Sequence, residues 1–389
     1  MRARRDLSGL GLLAALFLAA LALRPQLVGV APVVPRIQED LAISHAVAGL
    51  LGTIPVLCMG LFAPPAPYLS RRVGSRLAIA VALGLIAGFG LVRAVAPGAA
   101  LVVLLTFPVG IGMGLAGALM PVAVKERFAH RPAFATGVYA TGISAGSALS
   151  TALAVPLAEG AGGWRGTLVA FSACTAALVF AWLVLTRRTV GRDARADALP
   201  ALPWRSGVAW RLVSIFGLMS VVYYGLNAWL PDSYVERGWS ESSAGSLLAV
   251  LNVAALPPTL LVPWLADRMG SRRVYLVTAG SLLTATLVAL VLLPGGGWAW
   301  AALAGAAFGA LFPIVLTLPL DVSDRPAQVG AVAGLMLGAG YALSAASPFG
   351  LGVARDATGS FTAALWVLAG ASALLAASCA ALSPRRLSP

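Results

Sequence analysis

Leu69-Ser-Arg-Arg-Val-Gly-Ser-Arg76 returns 196 residues later as Leu265-Ala-Asp-Arg-Met-Gly-Ser-Arg272. The register runs backwards from there without a gap, setting Pro35 on Pro231, Ser44 on Ser240, Ala48-Gly49 on Ala244-Gly245 and Pro67 on Pro263. At an offset of 192, Gly117-Ala-Leu-Met-Pro121 then lies over Gly309-Ala-Leu-Phe-Pro313, with Gly142, Gly146 and Pro156 over Gly334, Gly338 and Pro348. A chain rich in Ala and Leu matches those residues by chance, but not Pro, Gly and Arg in two ordered runs. A same-direction repeat of half the chain, apolar in both copies, predicts two parallel six-helix halves.

The solvent follows from composition. With 59% apolar and 11% charged residues and a mean hydropathy of +0.90, 389 residues lack the polar side chains to cover a water-soluble surface. Apolar runs lie at about 8–31, 46–69, 77–96, 99–122, 133–157, 165–186, 208–230, 243–265, 274–294, 297–319, 328–353 and 361–382. Each approaches the roughly 20 residues that cross a bilayer as helix, the form that satisfies the backbone there. The expected fold class is an all-α membrane protein with twelve transmembrane helices in two parallel six-helix repeats. Its expected parts are an N-terminal half at 1–186, a polar linker at 187–207 and a C-terminal half at 208–389.

The net charge of +13 is distributed by side. Counted along alternating loops, one side collects most of the basic residues, from Arg2, Arg4 and Arg5 to Arg385 and Arg386. The other receives only Arg36, Arg93, Arg165, Arg237 and Arg355. That asymmetry predicts cytoplasmic termini and attraction to anionic lipid, and excludes nucleic acid as the partner. The first apolar run continues to residue 31 without a convincing Ala-x-Ala exit and carries an arginine, so it reads as a retained span rather than a cleaved signal. Cys58, Cys174 and Cys379 are isolated and imply neither disulfide nor metal. His45 and His130 read as solvated loop residues, and Trp164, Trp229, Trp239, Trp298 and Trp300 as interfacial anchors.

Leu265-Ala-Asp-Arg-Met-Gly-Ser-Arg-Arg273 resembles the loop between the second and third helices of each half in the major facilitator superfamily. The resemblance implies a conformational latch at Asp267, Arg268, Gly270 and Arg272, and at Arg71, Arg72, Gly74 and Arg76 in the first copy. There Arg71 stands where the family has aspartate. Within the superfamily the N-terminal half is similar to the cyanate permease and nitroimidazole transporter branch. The similarity rests on Leu23-Arg24-Pro25, Gly29-Val-Ala-Pro32-Val-Val-Pro35, Ser44, Leu51, Pro55-Val56, Met59-Gly60, Arg93, Gly110-Ile-Gly-Met-Gly114, Met120-Pro121 and Lys125-Glu-Arg-Phe128. It implies movement of small polar solutes, with no cofactor, by a functional monomer in the bacterial inner membrane.

Arg24 has the sharpest physical meaning. At 1.5 Å per helical residue it lies roughly 27 Å past Asp6 and about 18 Å short of Arg36, deep in the first span. An arginine there costs at least a few kcal/mol, so it faces a watered cavity or a partner. Two readings stand. It binds carbonyls freed by Pro25, or it offers its planar fork to carboxylate, cyanate, nitrite-like or nitro groups. The other polar or polarizable candidates for a substrate surface are Gln26, Met113, Tyr139, Tyr223, Tyr224, Asn227, Asn252 and Tyr341. Residues 223 and 227 share a helix face.

All fourteen carboxylates fall in loops or at helix ends. A proton carrier at mid-membrane is therefore absent from the pattern, and any coupling proton falls to the substrate, His45, Asp267 or Asp321. No nucleophile-base pair or metal-ligand cluster marks an enzyme. The expected function is alternating-access transport of a small anionic or nitro-bearing solute. The alternatives are a multidrug-type exporter of neutral or cationic compounds and a non-transporting receptor.

Overall fold

The computed structural model describes residues 2–128, 132–187, 202–269, 272–322 and 326–382, and among them only helices, turns and loops occur. The helices are α1 (Arg2–Leu21), α2 (Val34–Leu41), α3 (His45–Phe62), α4 (Ala66–Val73), α5 (Ser75–Ala94), α6 (Ala99–Arg127), α7 (Pro132–Gly160) and α8 (Gly163–Leu185), then α9 (Gly207–Val235), α10 (Glu241–Ala254), α11 (Leu256–Met269), α12 (Arg272–Leu292), α13 (Gly297–Asp321), α14 (Pro326–Thr358) and α15 (Phe361–Ala380). Eleven helical segments of the described chain are long and apolar enough to cross a membrane.

The first apolar run is broken, which corrects the expectation of one helix over 8–31, and the runs at 46–69 and 243–265 are also divided, between α3 and α4 and between α10 and α11. Helix α1 stops at Leu21, residues 22–27 form turns, and a 3-10 helix at Val28–Val33 leads into α2. Pro25 has no N–H to return to Leu21, Pro32 sits inside the 3-10 turn, and Pro35 is pre-organised for the first turn of α2. The opened backbone is tied locally, the Arg24 carbonyl accepting from Leu27 N (3.0 Å) and Val28 N (2.9 Å).

The chain divides into two compact units, Met1–Ala42 with Ile54–Asp197 and Ile43–Thr53 with Ala198–Pro389. Each shows the same internal pairings. The first span packs on the fifth (α1 on α7, α9 on α14), the third on the fourth (α5 on α6, α12 on α13) and the third on the sixth (α5 on α8, α12 on α15). This is the sequence repeat expressed as packing.

Glycine makes the close crossings possible in both units. A Cβ on Gly142 would lie 2.5 Å from the Phe17 carbonyl, and one on Gly146 would lie 2.4 Å from the Leu21 carbonyl. The latter is the oxygen that Pro25 leaves without its helical partner, so α7 comes closest where α1 ends. In the second unit a Cβ on Gly305 would stand 2.0 Å from the Leu251 carbonyl, and one on Gly309 2.1 Å from that of Ala255. Helix α13 thus rests on the backbone of α10. Gly305→Val must force these helices apart, at the upper end of the roughly 1–3 kcal/mol typical of overpacking. The expected result is loss of monodisperse protein on gel filtration in detergent. A yield and melting temperature equal to wild type would refute the close crossing.

The second unit also contains a repaired break. In α14, Pro348 interrupts the ladder, and the Thr53 hydroxyl enters the gap. It donates to Ala345 O (2.6 Å) and accepts from Phe349 N (3.1 Å), the pair that would bond directly in a regular helix. Trp229 Nε1 donates to the Pro348 carbonyl (2.8 Å). Trp229 is 3% exposed and Trp164 4%, the latter donating to Asp40 Oδ2 (3.1 Å), so neither is the interfacial anchor expected of it. Trp298 is exposed as such an anchor would be.

Candidate functional site

In the first unit the break in the first span carries Arg24, buried at 7% exposure in the turn between α1 and the 3-10 helix. Irregular backbone at membrane depth is tolerated where protein encloses it or where it lines a cavity. Next to it, Gln26 is fully buried and its amide is committed: Nε2 donates to Ser172 Oγ (2.8 Å) and Leu168 O (3.1 Å), while Oε1 accepts from Arg93 Nη2 (2.7 Å). Gly90 gives this amide its room, since a Cβ there would lie 2.8 Å from Nε2.

Arg93 is the residue that sequence reasoning missed. It was counted with the outer loops, yet it is 1% exposed and in the last turn of α5. Its Nη1 donates to Thr106 Oγ1 (3.0 Å) and its Nη2 also donates to the Gln26 carbonyl (3.1 Å), whereas Nε is buried without a hydrogen bond. Arg93 therefore caps the backbone opened at the broken span, a task the sequence offered to Arg24. The available signal was a set of lone polar residues, Gln26, Thr106 and Ser172, in separate apolar runs. Met113 (α6) is buried and Tyr139 (α7) half-buried in the same unit.

In the second unit five candidates form one cluster. Tyr223 Oη donates to Asn252 Oδ1 (3.1 Å), Asn252 Nδ2 donates to Asn227 Oδ1 (3.2 Å) and Leu248 O (2.9 Å), and Asn227 Nδ2 donates to the Tyr223 carbonyl (2.8 Å). These bonds close a loop between α9 and α10, so each amide is held in one orientation. The Tyr223 ring meets Tyr224 and Phe308 edge-on, both with centroids at 5.3 Å. Tyr224 lies 6.3 Å from Tyr341, and Tyr341 meets Phe216 edge-on at 5.0 Å. The result is a string of rings with hydroxyl and amide edges, suited to a flat polar solute. At the position equivalent to Arg24 the second unit has Ser220 in an unbroken α9, so the two units differ in charge here.

The latch candidates are less fully described. Gly74 has φ +80° between α4 and α5, a conformation that favours glycine. The Arg72 guanidinium lies 4.5 Å over Tyr68, and Arg76 donates to Thr186 Oγ1 (3.1 Å) and Leu183 O (2.8 Å). Arg272 pairs with Asp321 and donates to Thr317 Oγ1 (3.3 Å). The side chains of Arg71, Asp267 and Arg268, and Gly270 as a whole, lie outside the described residues.

Comparison with known proteins agrees with this architecture. The chain is 31% identical to the cyanate transport protein CynX of Escherichia coli, over 90% of this chain and 91% of that one. It is 31% identical to the 2-nitroimidazole transporter of the same organism, over 94% and 93%. The inward-open xylose transporter XylE of E. coli superposes with a TM-score of 0.78 over 97% of this chain and 96% of that one at 14% identity, a likeness of fold alone. The Major Facilitator Superfamily pattern matches residues 10–348. With its repeated helix pairings and its long relatives, the chain belongs to the Major Facilitator Superfamily and is a multi-pass membrane transporter, not an enzyme.

Proposed function

We propose that this transporter moves a small anionic or nitro-bearing polar solute, cyanate-like or nitroimidazole-like, by alternating access. The observation that carries the reading is Arg24 in the break of the first span, while Arg93 caps the opened backbone beside it. The planar fork of the Arg24 guanidinium matches a carboxylate-like or nitro group with two parallel donors. The aromatic and amide cluster of the second unit supplies ring faces and neutral hydrogen bonds for the rest of the solute. The names of the two relatives, a cyanate and a 2-nitroimidazole transporter, support this chemical class.

The same reading includes a functional monomer in the bacterial inner membrane with cytoplasmic termini, and a latch in which Asp267 and Arg272 outweigh the Arg71 copy. Counterflow in proteoliposomes tests it. Labelled cyanate and labelled 2-nitroimidazole should each exchange, and unlabelled small anions should compete. Exchange of neutral and cationic dyes with no response to either solute would favour a multidrug-type exporter instead.

A further inference from the structure

The described residues include one titratable cluster that this function leaves unused. His45, read from sequence as a solvated loop residue, is the first residue of α3 and belongs with the second unit. Its Nδ1 lies 2.9 Å from Asp356 Oδ1 on α14, and its Nε2 lies 3.4 Å from Asp232 Oδ2 on α9. Asp356 also accepts from the backbone N–H groups of His45 (3.2 Å) and Ala46 (2.8 Å), so a carboxylate 310 residues away caps α3. The Asp232 Oδ2 is buried and makes no hydrogen bond. Trp229 (5.7 Å) and Phe361 (5.5 Å) enclose the imidazole ring.

A neutral imidazole carries one N–H and one lone pair. Between two carboxylates, one ring nitrogen would then present its lone pair to an oxygen. One further proton, on the ring or on Asp232, turns that repulsion into an N–H···O or O–H···N contact. The remaining charged neighbours do not supply it. Arg355 beside Asp356 is held by Glu236 at 2.9 Å and lies 5.8 Å over the Phe361 ring, so that pair is neutral as a unit. From α15 the ring meets Phe361.

We propose that His45, Asp232 and Asp356 form a proton-binding site that holds the first turns of α3 in the second unit and releases them when the proton is lost. The device has leverage because α3 continues past Thr53 into the first unit. The site goes beyond the substrate reading and needs no substrate for its test. The sign is fixed by the count of protons: with the extra proton present, both contacts are favourable. As pH rises and it leaves, two carboxylates face a neutral ring and the clasp opens.

The test is a distance measurement between nitroxides on Ile43→Cys and Ala357→Cys in the full chain, with Cys174 replaced by serine. One short distance is expected at pH 5.5, with a second, longer population growing toward pH 8.5. His45→Gln, which keeps a donor and an acceptor but cannot charge, should lose this step, and Asp232→Asn should weaken it. A distribution unchanged across that range would overturn the proposal. So would a step retained in His45→Gln, or a response to sodium at fixed pH without one to protons.

Discussion

Arg24→Gln is expected to abolish high-affinity substrate binding while the protein still inserts and elutes as wild type. Arg24 sits in the turn where the first span is broken, at 7% exposure. Charge-assisted hydrogen bonds are worth about 1.5–3 kcal/mol. Losing them lowers affinity roughly tenfold to a hundredfold, or more where two are lost together. Arg24→Lys keeps the charge without the fork, so it should retain weak exchange. Equilibrium binding of labelled solute, with and without counterflow, separates loss of recognition from loss of movement. Wild-type affinity in a correctly inserted Arg24→Gln protein would return this arginine to structure.

The second large effect is on stability, and it depends on which partner is removed. Gln26→Leu takes the Oε1 acceptor from Arg93, leaving a fully buried guanidinium with the Gln26 carbonyl and Thr106. Losing one hydrogen bond to a charged group costs about 1.5–3 kcal/mol. Arg93→Met removes the charge but leaves the Gln26 amide, the Gln26 carbonyl and the Thr106 hydroxyl each short of a donor, at about 1–3 kcal/mol for each buried group left unsatisfied. The melting temperature in detergent should therefore fall further for Arg93→Met. The double variant should fall by less than the sum, because its second change removes the stranded charge. Equal single effects with full additivity would show that the two side chains are not coupled.

Much of the fold was legible because the bilayer restricts what an apolar run can do. Helix is the form available to such a run, and Pro, Gly and Arg repeated at half-chain spacing gave its order. The break at Arg24 was less legible, although Pro25, Pro32 and Pro35 are all in view. Apolarity continues through residues 27–34, and hydropathy does not distinguish a 3-10 turn from a helix. Five of the substrate-surface candidates came together because three lie on α9 and the other two on α10 and α14, which pack against it. Arg93 was misplaced because an arginine at a helix end normally reaches water, and only the packing of α5 against α6 and α8 closes that route. His45 was misplaced for a similar reason. Its partners at 232 and 356 are joined to it by tertiary structure alone.

The interrupted first span has a consequence for biogenesis. Within its apolar run the α-helix ends at Leu21, and turns and a 3-10 helix carry the remainder, so the run does not cross as one regular helix of roughly 20 residues. Arg24 lies inside that apolar run, and an arginine at the centre of a span adds about 2.5–3.5 kcal/mol to insertion on the biological scale. The nascent chain therefore reaches the lateral gate with a broken segment, whose turns and 3-10 helix gain their protein partners only as later spans arrive. Helix α7, whose glycines receive the α1 carbonyls, is synthesised about a hundred residues later, and α5 brings Arg93 to the Gln26 carbonyl before that. The interrupted span is thus secured only after helices made later are in place, which makes the steps between the two the natural place for an insertase to act.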